Sequence, residues 1–399
     1  MENIKGYFDW AATAPIDMDI ITNANNIFYE NFANPSSVHS LGLKAKETLS
    51  VARNKAAKAL NVKPDTLFFT SGGTEANHIP LLSLLQRPAP ATILISTIEH
   101  PAIQQQANML RNCGWKINTV KPNSLGIISP EDVKKALTDD TVLVCIMAVN
   151  NETGAIQPIY EIADLLTEIS KTTGKRRAKL HVDCVQTAGK IPFCVNYKGI
   201  DSAAFSAHKI GGPRGIGILY LAQRIEPFLR GGGQENGIRS GTENLSGAIA
   251  FSDCLERYYM NYDFSSSTFS NENAYKRFLQ QKDFTQKFIT SLAELKNCKI
   301  IPSERLKQEN HFSPWIVQAS FDKIPGEVMV RALSEKGFYI STGSACSAKK
   351  MSRPILETMG ISKDQATNAV RFSFGPKTTQ EDINNLLQAV TEIAKLFFK

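Results

Sequence analysis

The sequence predicts an α/β fold in which a mostly parallel seven-stranded sheet is followed by a smaller α+β domain. Between residues 45 and 255 short apolar runs alternate with polar or amphipathic stretches of helix length, the pattern of a parallel sheet covered by helices. The chain has 399 residues, more than one core usually holds, since single cores stop growing at about 250–300 residues. Residues 258–275, "YYMNYDFSSSTFSNENAY", then break the rhythm and mark a surface insertion or the approach to the second domain.

The strands expected in the first part are "LFFT" (67–70), "TILIST" (92–97), "KINTV" (116–120), "TVLVCIMA" (141–148), "KLHVD" (179–183), "SAAFS" (202–206) and "GIGILYL" (215–221). Beyond the break, "IVQASF" (316–321), "GFYIS" (337–341) and "AVRFSF" (369–374) alternate with helical patterns. The chain closes on "TQEDINNLLQAVTEIAKLFF". There Thr378 and Thr379 form a cap region, Glu381 and Asp382 lie in the first turn, and Ile383, Leu387, Val390 and Leu396 share a face, as in a packed helix. The expected division is a large domain over 15–257 and a small one over 1–14 and 258–399, with a mobile cysteine loop near 341–353.

Composition narrows the function classes. With 42% hydrophobic and 21% charged residues the chain reads as an ordinary soluble protein. No segment approaches the roughly 18 apolar residues of a membrane span, and "MENIKGYFDW" has no signal-peptide pattern; a cytoplasmic location is expected. Seven widely spaced cysteines with no CxxC pair suggest reduced thiols, six of them packing residues, and no structural zinc. The net charge of +7 is densest at "KTTGKRRAKL" (171–180), read as a solvated loop before a strand. No zinc-finger or aromatic RNA-reading motif accompanies it, so direct nucleic-acid binding is not expected, although an acidic protein partner stays possible.

Open parallel sheets bind ligands beyond the carboxyl ends of their strands, and here nearly every strand ends in polar residues. "FTSGGTEAN" (69–77) leads a strand through Gly72 and Gly73 into a helix beginning near Thr74, where unpaired N–H groups suit an anionic phosphate. A plain glycine turn with an N-cap would look the same, and neither GxGxxG nor GxxxxGK[ST] is met. "EHPA" (99–102), "NNETG" (150–154) and "HVDCVQ" (181–186) follow. His100 offers a ring face, Asp183 a partner for a protonated ring nitrogen, and Asn151 and Gln186 hydrogen bonds to ring substituents; singly, His100 reads equally as a helix start and Asp183 as a cap. "SAHKIGGPRGIG" then adds Lys209, beside Ser206 and His208. A lysine amine forms Schiff bases with carbonyls, and with an aspartate on the pyridine nitrogen it suits pyridoxal phosphate.

These motifs, with "YFDWAATAP", "NPSSVH", "ARNKAAKAL", "NNETGAIQPI", "HVDCVQTAGKIP", "GGGQENGIRSGTEN", "STGSACS" and "VRFSFG", run nearly end to end in family order. The chain resembles the cysteine desulfurases of the NifS/IscS type, in the class V aminotransferase group of fold-type I pyridoxal-phosphate transferases. The resemblance implies that Lys209 carries the cofactor, His100 stacks on its ring, Asp183 holds the ring nitrogen and Gln186 the ring hydroxyl. It places Gly73, Thr74, Ser206 and His208 at the phosphate and Asn151 between cofactor and substrate carboxylate. Arg371 would clamp that carboxylate, and Thr242 would reach the neighbouring subunit's phosphate in a homodimer. The family start commonly reads Asp-Asn-Ala-Ala-Thr where this chain has "DWAAT", so Trp10 replaces a small amide. His78 likewise stands where a second asparagine is common.

"YISTGSACSAKKMSR" (339–353) is the one cysteine neighbourhood built of small, polar residues beside positive charge; Lys349 and Lys350 would favour a thiolate. By resemblance Cys346 is the persulfide-forming residue, L-cysteine the substrate and L-alanine the product, with sulfur passed to an acceptor protein, foremost an iron–sulfur scaffold. Three alternatives stay open: a selenocysteine lyase, another class V aminotransferase, and a noncatalytic sulfur-delivery or RNA-associated protein.

Overall fold

The structure is a computed structural model and describes residues 5–264, 266–343 and 353–397. Seven strands form the main sheet: β1 (Leu67–Thr70), β2 (Thr92–Ser96), β3 (Lys116–Val120), β4 (Thr141–Cys145), β5 (Lys179–Asp183), β6 (Ser202–Ser206) and β7 (Gly217–Leu221). Their order is β1-β7-β6-β5-β4-β2-β3. The four pairs from β6 to β3 are parallel, and β7 runs antiparallel to both neighbours. The carboxyl ends of β1, β2, β4, β5 and β6 therefore share one edge.

The helices start and stop where local chemistry says they should. The first part of the chain holds α1 (Met18–Glu30), α2 (Ser40–Leu60), α3 (Gly73–Ser83), α4 (Pro101–Asn112), α5 (Pro130–Ala136), α6 (Ile159–Thr173) and α7 (Leu245–Tyr258). Pro101 opens α4 behind the His100 cap, because a first-turn N–H has no partner to lose. Helix α6 ends at Gly174 in the left-handed region. The basic run thus begins on α6 and continues as a loop, where Lys175 pairs with Asp139 at 2.6 Å and Arg177 with Asp201 at 2.7 Å.

Strand residues divide by parity between two buried faces, as a sheet covered on both sides requires. Leu94, Val144, Ile218 and Tyr220 join the core that packs against α2 and α7. Their neighbours Ile93, Ile95, Leu143 and Cys145 face a separate core under α4, with Ile103 and Leu110.

Residues after α7 form a two-stranded ribbon, β8 (Tyr262–Asp263) with β9 (Thr268–Phe269), and then α8 (Glu272–Ala293). A three-stranded antiparallel sheet follows, built from β10 (Cys298–Ile301), β11 (Ile316–Phe321) and β12 (Ala369–Ser373). Helices α9 (Gly326–Glu335), α10 (Pro354–Thr358), α11 (Lys363–Thr367) and α12 (Gln380–Leu396) complete the chain. A second core joins Phe288, Leu292, Phe321, Met329, Phe372 and Val390 to Phe8 and Ala11 from the amino-terminal segment.

Three expectations are corrected here. "GFYIS" is no strand: Tyr339 and Ser341 make only isolated bridges, to Tyr7 and Arg371. The third strand is instead "CKII", whose four residues carry too short a pattern to read. Leu396 is 66% exposed, because the inward face of α12 is carried by Ile383, Leu386, Val390 and Ile393. The helix does open on a capping box between Thr379 and Asp382. Cys113 is exposed past the end of α4, whereas Cys145, Cys184, Cys194, Cys254 and Cys298 are buried. Burial pushes the Cys194 thiol up to about 11 and that of Cys298 to about 12.

Candidate active site

The polar strand ends converge. Gly73, Thr74 and Asn77 after β1, His100 after β2, Asn151 after β4, Asp183 and Gln186 at the end of β5, and Ser206, His208 and Lys209 at the end of β6 line one cavity of about 300 Å³. Ala11, Ala12 and Arg371 close it from the side of the second core. Gly72 enters α3 with φ 155 and ψ −178, a conformation open essentially to glycine alone. A Cβ at Gly73 would meet Val185 Cγ2 at 2.7 Å, so only glycine lets this turn lie against the loop after β5.

Asp183 is fixed from two sides. Its Oδ1 accepts from the Val185 N–H at 2.9 Å and its Oδ2 from Asn77 Nδ2 at 2.8 Å. The other end of the Asn77 amide, Oδ1, lies 2.9 Å from His181 Nε2, and His181 Nδ1 lies 2.8 Å from Ser202 Oγ. Burial lowers the His181 pKa to about 3, so the ring is neutral. Asn77 Oδ1 can only accept, which places the single ring proton on Nε2 and makes Ser202 the donor to Nδ1. A neutral chain of donors thus ends on the carboxylate.

His100 accepts from the Ala102 N–H through Nδ1 at 3.1 Å, which holds the ring at the start of α4. Burial lowers its pKa, with Asp183 opposing and Lys209 assisting. Next to it Glu99 is fully buried. Its Oε1 accepts from Ser96 Oγ and from the Met147 N–H, its Oε2 has no partner among the described residues, and burial raises its pKa to about 8.

Lys209 follows β6 in a short 3₁₀ turn, and its Nζ donates to the carbonyls of Ala11 and Ala12 at 2.8 and 2.7 Å. His208 Nδ1 lies 3.2 Å from Thr13 Oγ1, and burial together with Lys209, Lys190 and Arg214 lowers its pKa to about 4. Gln186 donates to the Ala11 carbonyl at 2.8 Å and accepts from the buried Lys190.

Arg371, 2% exposed, donates to Asp9 Oδ1 and to the Asn151 carbonyl, each at 2.8 Å. Its Nε and the Oδ1 of Asn151 are buried without partners among the described residues. Trp10 is buried. Its Nε1 donates to the Tyr7 carbonyl at 2.9 Å, and its ring occupies the space that a Cβ on Gly375 would take, 2.1 Å away.

One predicted residue among those described does not line the cavity, and another lies outside the described residues. Thr242 is exposed on a loop pinned to β1 by Glu235, which accepts from both terminal nitrogens of Arg53 and from the Phe69 N–H. Cys346, with Lys349 and Lys350, lies outside the described residues. The residues flanking that segment are in contact. A Cβ on Gly343 would meet a guanidinium nitrogen of Arg353 at 2.4 Å, and Arg353 pairs with buried Glu152 at 2.9 Å. Ser341 exchanges backbone hydrogen bonds with Arg371 at 3.2 and 2.6 Å, so the residues just before that segment lie beside the Arg371 strand.

Asn77, His181, Asp9 and Lys190 had no role assigned from sequence. Each stands inside a quoted motif, and that position was the only signal available.

A cavity with an amine, a buttressed carboxylate, a histidine ring and an arginine with an unused N–H suits a planar cationic ring bearing a phosphate, together with an amino-acid carboxylate. The orphaned Nε of Arg371 is a buried donor that a bound carboxylate would satisfy. Fold and cavity define a pyridoxal-phosphate enzyme of the class-V type, and the aminotransferase class-V family model matches residues 6–386. A cysteine desulfurase IscS of Dictyoglomus turgidum is 32% identical over 399 residues, covering 97% of this chain and 94% of that one. Among solved structures, a NifS-like protein superposes with a TM-score of 0.85 at 32% identity, over 98% of this chain and 100% of that one. The structure of SspA in complex with cysteine matches with a TM-score of 0.77 at 27% identity, over 94% and 100%. The chain belongs to the NifS/IscS cysteine desulfurase family, pyridoxal-phosphate enzymes that form a cysteine persulfide and transfer its sulfur.

Proposed function

We propose that this chain removes sulfur from L-cysteine, holds it as a persulfide on Cys346, releases L-alanine and passes the sulfur to an acceptor protein, foremost an iron–sulfur scaffold. The observation that carries the reading is the placement of Lys209, Asp183 and Arg371 around one cavity. Pyridoxal phosphate, when bound, supplies a sink for the electrons left on the substrate's Cα.

Each residue then has a task. Lys209 anchors the cofactor and moves the proton at the substrate's Cα. Asp183, backed by Asn77, keeps a proton on the ring nitrogen, and His100 covers the ring face. Gly73, Thr74, Ser206 and His208 hold the phosphate, Gln186 the ring oxygen, and Arg371 and Asn151 the substrate carboxylate. Cys346 attacks the substrate sulfur: an S–S bond forms, the substrate's C–S bond breaks, and the carbon fragment is protonated to alanine. No external electrons are needed until sulfide is released from the persulfide.

A homodimer belongs to the same reading. Thr242 is exposed and does not line its own cavity, and Tyr29, Phe32, Val38, Leu43 and Val51 leave exposed apolar side chains suited to burial against a second copy. The reading keeps a division near residues 15 and 257: Phe8 and Ala11 pack in the second core, while Ile301, Ile355, Leu356 and Ala369 cross over to join the first. A reducing compartment, the cytoplasm, keeps Cys346 available as a thiol; among the described residues no helix is long and apolar enough to cross a membrane.

The test is parallel quantitation of alanine and sulfide from L-cysteine under reductant, using cofactor-loaded wild type and Cys346→Ala. Equal yields that vanish in the variant are expected. Turnover without alanine, or a fully active variant, would reject the reading.

A further inference from the structure

Lys190 is a second lysine at the site, 6% exposed and one turn beyond Gln186. Among the described residues it forms no ion pair. Its Nζ donates to Gln186 Oε1, and its carbonyl accepts from Trp315 Nε1. The charges facing it are Lys209 and Arg371, both cations. Asp17 and Lys377, with Trp10 and Trp315, line the small cavity of about 30 Å³ that Lys190 also borders. Burial, then these two cations, hold its pKa well below the usual lysine range. A lysine so placed contributes an N–H donor more than a charge.

The two ends of a glutamine amide are almost equal in shape and opposite in chemistry. Gln186 lines the main cavity, so which end faces inward decides whether it gives or refuses a hydrogen bond. Lys190 holds the oxygen outward, and the Ala11 carbonyl takes one N–H of the nitrogen, which leaves the second N–H for the cavity. We propose that Lys190 is a positioning residue that locks the Gln186 amide with its N–H toward the cofactor's ring oxygen. This rests on the pyridoxal-phosphate reading above. Without Lys190 the amide oxygen is buried and unpaired, and turning the amide to relieve it removes the donor from the ring oxygen.

A donor there favours negative charge on the ring oxygen, so its loss makes the bound cofactor hold its proton to higher pH. The experiment is a pH titration of the bound cofactor's visible absorption in full-length, pyridoxal-phosphate-loaded wild type, Lys190→Met, Gln186→Ala and the double variant. Lys190→Met and Gln186→Ala are each expected to raise the midpoint, by up to about one pH unit, as suits one hydrogen bond to a charged oxygen. The double variant is expected to match Gln186→Ala alone, because a residue acting through another adds nothing once the other is gone. An unmoved midpoint in Lys190→Met, or additive shifts, would overturn the assignment while leaving the cofactor reading intact. A wild type with no cofactor absorption would overturn both. If Lys190→Met does not fold, Lys190→Gln, which keeps an N–H donor on a shorter stem, gives the same comparison. Its shift should be smaller than that of Gln186→Ala and should disappear in the Gln186→Ala background; a shift that persists there rejects the proposal.

Discussion

Asn77 Nδ2 donates to Asp183 Oδ2 at 2.8 Å across 106 positions of sequence, so the carboxylate assigned to the cofactor's ring nitrogen is oriented by a residue on the phosphate-turn helix. Asn77→Leu removes that donor and leaves His181 without its acceptor. A hydrogen bond to a charged group is worth about 1.5–3 kcal/mol, so pyridoxal phosphate is expected to bind roughly 10- to 100-fold more weakly. Titrating apoprotein with the cofactor measures this, and unchanged affinity would show that Asp183 needs no support from Asn77.

Arg371 brings an unused N–H and a guanidinium already oriented by Asp9 and the Asn151 carbonyl. Arg371→Ala is expected to raise KM for L-cysteine by about 100-fold, the worth of a charge-assisted pair near 3 kcal/mol. Cofactor binding should stay close to wild type. Steady-state alanine formation gives both parameters, and an unchanged KM would place the substrate carboxylate elsewhere.

The main sheet was legible because each strand is a short apolar run closed by polar residues, and those same polar ends announced the cavity. What stayed hidden depends on distant partners. His181 looks like any residue inside a strand until Asn77 and Ser202 close around it. Asp9 lies 362 positions from Arg371, a pairing that no local pattern can signal. "GFYIS" alternates like a strand, yet only two of its residues find bridging partners, whereas "CKII" pairs with β11 along its whole length.

Glu99 sets a pH dependence whose sign can be checked. Its folded pKa, about 8, lies above the ordinary 4.5, so between those values the folded state binds more protons. Stability from this group is full below about 4.5 and falls as pH rises through 8, by roughly 1 kcal/mol per pH unit. His181 contributes the opposite slope between about 3 and 6.5, so the difference between wild type and Glu99→Gln isolates the carboxyl. The variant should match wild type near pH 4.5 and gain steadily to pH 8 in urea unfolding. A pH-independent difference would mean that Glu99 is ionised in the fold.

The Glu152–Arg353 pair is buried on both sides and ties the residue that follows the cysteine segment to the loop after β4. Arg353→Met leaves a buried carboxylate without its cation and is expected to cost roughly 3–5 kcal/mol. Glu152→Gln combined with Arg353→Met should recover part of that loss. Denaturant midpoints decide it, and equal stability of the single and double variants would show that the pair does not carry the contact.

The cavity is closed by two segments far apart in sequence. Besides the Asp9–Arg371 pair, the Ala11 N–H donates to Ser373 Oγ and the Ser373 N–H to the Phe8 carbonyl. During synthesis the first of these residues must wait for a partner 362 positions later, roughly 20–70 s at ribosomal speed. The seven strands of the large sheet are all made well before that moment. A nascent chain can therefore acquire most of its first core while the cavity still gapes on this side, and the cavity closes only once β12 has been made.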